Sequence, residues 1–65
     1  MIIEVVLYDM RDKFSKKISC YDWVEAMHFL SDNHQRSCRV GISVNGSPEV
    51  VLSVSDCITL LEVKS

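Results

Sequence analysis

The first residues of the chain are apolar on both sides of a strand, with almost no polar position. Over Ile2–Tyr8, Ile3, Val5 and Leu7 point to one side of an extended strand. Ile2, Val6 and Tyr8 point to the other, with Glu4 as their only charged neighbour. One side must be the core, and the second then lacks an evident cover. Asp9-Met10-Arg11-Asp12 reads as a polar turn, and Lys13–Ile18 as a returning strand with Phe14 and Ile18 on the core side.

The period then changes. Cys20, Trp23, Val24, Met27 and Leu30 fall on one helical stripe, which predicts a helix over about 20–31. Ser19 and Asp22 have the spacing of a capping box, flanked by Ile18 and Trp23 as a hydrophobic staple would be. Alternation resumes from Arg36 to Val44, where Cys38, Val40, Ile42 and Val44 share a face. Asn45-Gly46 follows, the strongest short hairpin signal, because both central residues of that turn take positive φ. Glu49–Leu52 returns as a strand, and Pro48 is tolerated at its start because that position need not donate to the ladder. Ser53 and Asp56 repeat the capping device, and Val54, Cys57, Ile58 and Leu61 form a second helical stripe.

The expected fold is α+β, in the order ββαββα: a four-stranded antiparallel sheet with two helices on one face. The halves 1–33 and 36–65 read as two hairpin-helix pseudo-repeats within one domain. Residues 55–63 also have β propensity, so the alternative is ββαβββ with a C-terminal strand. The opening order of that alternative resembles ubiquitin-like domains, although the tail Val63-Lys64-Ser65 lacks the paired glycines of a conjugated terminus.

In this fold the outer sheet face carries an apolar cluster of Ile2, Val6, Tyr8 and Val51 among polar neighbours. Phe29 lies about 160° from the centre of the first helical stripe. Either the helix rolls to tuck it in, or it is an aromatic anchor beside Asp22 and Glu25. Ile2, Val6, Tyr8, Val51 and Phe29 are therefore the candidate partner or dimer interface.

Composition narrows the chemistry. The 65 residues make one domain, and 48% of them are hydrophobic, enough for a core. A chain of this size buries only about 60% of its unfolded surface, so extra stability should come from a metal, a disulfide or a partner. Net charge is −2, which gives no strong pull towards nucleic acid. Arg11, Lys13 and Lys17 on the first hairpin, with Arg39, are the candidate nucleic-acid contacts of a second reading, and Tyr8 would stack on a base.

The three cysteines, Cys20, Cys38 and Cys57, have no Cys-x-x-Cys spacing, which points to a reducing compartment. With His28 and His34 they show no zinc-site spacing, so no metal or other cofactor is expected. Cys38 near His34, with Arg36 and Arg39, is the one thiol placed for nucleophilic chemistry. A buried thiol beside a solvated loop is the simpler reading. No phosphate loop or carboxylate pair is present, and no small-molecule substrate is expected. The first apolar run is too short to span a bilayer and has no basic leader. These features lead to a cytoplasmic, non-enzymatic interaction module, acting as a homodimer or on another protein. Its size suits a phage or bacterial accessory protein that inhibits a larger host protein.

Overall fold

The computed structural model describes residues 1–33 and 39–64. Its elements are β1 (Ile3–Tyr8), β2 (Phe14–Cys20), α1 (Trp23–Asn33), β3 (Arg39–Val44), β4 (Val50–Ser53) and α2 (Val54–Lys64). This is the expected ββαββα order, and α2 is a helix rather than a closing strand. The strands form one antiparallel sheet in the order β2-β1-β3-β4, which sets the two hairpin-helix units on either side of the β1–β3 pair.

The two turns differ in how they close. Asn45 and Gly46 take φ of 53° and 77°, as a tight hairpin loop requires. Asn45 also ties down the start of β1: its amide donates to the Ile2 carbonyl at 2.7 Å, and its Oδ1 accepts from the Ile2 amide at 2.9 Å. In the first hairpin Asp9 organises the loop. Its Oδ1 accepts from the amides of Arg11 at 2.8 Å and Lys13 at 3.0 Å. These bonds, with the nearby Lys13 charge, lower the Asp9 pKa.

The core lies between the sheet and the two helices. Ile3, Val5, Leu7, Val40 and Ile42 supply the sheet side, and Ala26, Leu30, Cys57 and Leu61 the helix side. Leu52, Ile18, Trp23, Met27 and Ile58 pack around them, partly buried. The inner and outer faces of β1 and β3 follow the alternation read from the sequence.

Three positions depart from it. Phe14 was expected in the core and is 64% exposed. The register slips between Leu7 and Tyr8, so that Leu7 opposes Lys16 while Tyr8 opposes Phe14, and Ser15 is skipped. One extra residue in β2 turns Phe14 to the face of Tyr8.

Cys20 was expected in the first helix. It ends β2 instead, opposite Ile3 and fully buried. The cap moves with it. Asp22 Oδ1 accepts from the Glu25 amide at 2.7 Å, and Glu25 Oε2 accepts from the Tyr21 amide at 3.2 Å. Asp22 and Glu25 thus do the work expected of Ser19 and Asp22. The second cap is as read: Ser53 Oγ accepts from the Asp56 amide at 3.2 Å.

Finally, α1 is rolled. Ala26 is buried and Phe29 packs partly buried against the core, while Val24 is 52% exposed. The small Ala26 side chain lets the helix backbone approach the sheet, and Phe29 fills the flank.

Candidate functional site

Both helices lie on one face of the sheet, and among the described residues no helix covers the other, bare face. Paired residues share a face, and the rows across it can be read from the register. One row is Phe14, Tyr8, Arg39 and Ser53. The next is Lys17, Val6, Gly41 and Val51. A third holds Ser19, Glu4 and Ser43. Ile2 stands at the end of the face, 47% exposed, and Val51 is 46% exposed. Of the expected apolar cluster, Val6 and Val51 flank Gly41, Tyr8 lies one row on, and Ile2 is set apart at the Asn45 turn. Phe29 is on the other side of the sheet.

Glu49 crosses this face. The Tyr8 hydroxyl donates to its carboxylate, 2.8 Å from Oε2 and 3.0 Å from Oε1. The path runs directly over Gly41, where a Cβ would stand 2.9 Å from the Glu49 Cγ and closer still to its carboxylate. Gly41 is therefore the residue that lets the carboxylate reach Tyr8. The bond raises the Tyr8 pKa above its ordinary 10.0, with partial desolvation and the Glu49 charge acting the same way. Glu49→Gln should return the Tyr8 phenol towards 10.0, and Gly41→Ala should do the same by displacing the carboxylate. Ring-proton chemical shifts of Tyr8 against pH measure this directly. An unchanged titration in both variants would mean that the bond does not persist in solution.

Lys17 and Arg39, the cations of the face, each stand beside a carboxylate. Lys17 Nζ pairs with Glu4 Oε2 at 2.9 Å, which raises the Lys17 pKa. Arg39 Nε stands 3.5 Å from Asp12 Oδ1. Lys16 reaches α1 instead, donating to Asn33 Oδ1 at 3.0 Å. Of the residues read as nucleic-acid contacts, Lys17 and Arg39 thus face carboxylates, while Arg11 and Lys13 are exposed in and beside the turn. A depression of about 210 Å³ is lined by Tyr8, Asp12, Arg39 and Val51. Phe14 stands beside Tyr8 in the same row. Tyr8, Arg39 and the exposed Phe14 thus share one row at this end of the face.

The described thiols, Cys20 and Cys57, are fully buried. Burial pushes the Cys57 pKa up to about 11. Burial also raises that of Cys20, with the Glu25 and Asp22 charges adding to it. Both are thus poor nucleophiles at neutral pH. Cys38, His34 and Arg36 lie outside the described residues. Among the described residues no group of three or more His, Cys, Asp or Glu could hold a metal ion, and no helix is long and apolar enough to cross a membrane.

Sequence reasoning missed Phe14 and Glu49 as members of this surface. For Glu49 the available signal was Gly41, a glycine in the middle of a strand, which marks a close approach by another group. Comparison of the chain with family models, curated proteins and solved structures gave no match.

Proposed function

We propose that the protein is a non-enzymatic interaction module that docks on a larger protein through the bare face of its sheet, and that it does so as a homodimer. The carrying observation is the face itself: Tyr8, Phe14, Val6, Val51 and Arg39 stand where neither helix covers them. Such a module acts by occupying a surface of its target, as a phage or bacterial accessory protein does when it inhibits a larger host protein, in the cytoplasm.

The test compares the wild type with Tyr8→Ala combined with Phe14→Ala. Losing two aromatic anchors should weaken partner binding by about 2–4 kcal/mol. Val24→Ala, on an exposed position of α1, should leave it unchanged. Binding that rises steeply as salt falls and is abolished by Lys13→Glu with Lys17→Glu would instead identify a polynucleotide ligand. The ion pairs of Lys17 and Arg39 speak against that outcome, since both carboxylates would have to be displaced.

A further inference from the structure

The two edges of the sheet are built differently. The outer strand β2 carries Lys16 and Lys17, follows Lys13, and is interrupted by its bulge. Edge lysines and bulges stop a sheet from adding strands. The other edge, β4, has neither device. Val50, Val51, Leu52 and Ser53 are all uncharged, and Val50 and Val51 are 56% and 46% exposed. Val50 belongs to the helix-side face, opposite Ile42, yet no helix covers it. Val50 itself lines a groove of about 370 Å³, with Trp23, Val44, Pro48, Leu52 and Leu60 among its apolar walls and Lys64 as its one charged residue among those described.

We propose that β4 pairs antiparallel with β4 of a second copy, joining the two sheets into one. This rests on the dimeric part of the function proposed above and specifies its interface. A second copy fits because the strand is complementary to itself. A two-fold axis normal to the sheet, passing through Val51, keeps both helical layers on one side. Val50 then opposes Leu52 of the second copy, and both line their groove walls. Val51 opposes its own counterpart on the bare face. Glu49 opposes Ser53, so no like charges meet.

The two grooves adjoin across the axis, and each supplies apolar surface to the other. The bare faces become continuous, which doubles the docking surface. A specific dimer buries about 800 Å² per partner. That is about a fifth of this molecule's 4317 Å². A contact built on one short strand and one groove sits at or below that size, so the dimer should dissociate on dilution.

Light scattering over a wide concentration range should show monomer passing to dimer. Amide exchange in residues 50–53 should slow as the dimer fills. Val51→Lys and Val51→Glu each place like charges opposite one another and should raise the dissociation constant by about tenfold or more. Mixed together, the two variants should recover dimer as a heterodimer. Phe14→Lys, on the bare face but at the far edge, should dimerise like the wild type.

A monomer at every concentration would overturn the proposal. So would a mixture that recovers no heterodimer, loss of the dimer in Phe14→Lys, or β4 amide exchange that ignores concentration. Because exchange is read on the wild type, a variant that fails to fold does not decide the matter. A dimer of this kind that docks on nothing would leave the interface standing and remove the function.

Discussion

Leu61→Ala should leave the protein largely unfolded at room temperature. Leu61 is fully buried on α2 and belongs to the same core as Leu30 of α1. Truncating such a leucine costs about 2–5 kcal/mol, from lost transfer energy and the cavity left behind. A core in a domain of this size rarely supplies more than about 3–5 kcal/mol in total. The loss therefore equals most of the stability, and far-ultraviolet circular dichroism should show it without added denaturant. Val24→Ala, on the exposed side of α1, should shift the urea midpoint by no more than about 0.5 kcal/mol of stability. Phe29→Ala should cost more than Val24→Ala. The reverse ranking would show that the helix faces the sheet with the stripe first read from its sequence.

That comparison marks where local pattern stops being informative. Ile3, Val5 and Leu7 were legible as core because a period of two leaves only two faces to choose between. Asn45-Gly46 was legible because few residue pairs accept positive φ. The Ser53 cap was legible because strand and helix abut there and Val54, Cys57, Ile58 and Leu61 set the helical stripe from the next residue on. In α1, by contrast, Trp23 and Leu30 allow two neighbouring stripes, one through Val24 and one through Ala26. The choice depends on how closely the helix approaches the sheet, which small Ala26 permits and a hydropathy pattern does not record.

The start of α1 had the same ambiguity. Ser19 and Asp22 are both good caps, and pairing of Cys20 with Ile3 extends β2 past the first of them. Phe14 was misplaced for a third reason. A bulge changes no residue type, yet it inverts every face beyond it. On the bare face, Tyr8 and Glu49 are 41 residues apart in sequence. Contacts of that range come from register, so the surface was readable as a strand with two apolar sides and unreadable as a hydrogen-bonded site.

Stability should fall on the alkaline side of neutrality well before it falls on the acid side. Among the described residues four groups have pKa values raised by folding. Cys57 moves from 9.0 to about 11 through burial. Cys20 rises mainly by burial, Tyr8 through its bond to Glu49, and Lys17 through its bond to Glu4. Each is held in its protonated form by the fold. Their contribution is therefore complete below the unfolded values, which begin at the ordinary thiol pKa of 9.0. It is lost as pH rises through the folded values. Asp9 runs the other way: its lowered pKa gives a contribution that is present above 3.8 and lost as pH falls below it. The two buried thiols carry the alkaline limb, since the bonds of Tyr8 and Lys17 are exposed and screened by solvent.

Urea midpoints measured from about pH 3 to pH 11 should therefore be flat through neutrality and drop from about pH 9 upward. Cys57→Ala should soften that alkaline limb. In a Cys38→Ser background, Cys57 of the folded chain should react with iodoacetamide about a hundredfold more slowly at pH 8 than an ordinary thiol, because a pKa of about 11 leaves that much less thiolate than the ordinary 9.0. A midpoint that falls chiefly in acid, or rapid labelling of folded Cys57, would mean that the thiol is not held in a closed core. The packing of α2 against the sheet would then need to be redrawn.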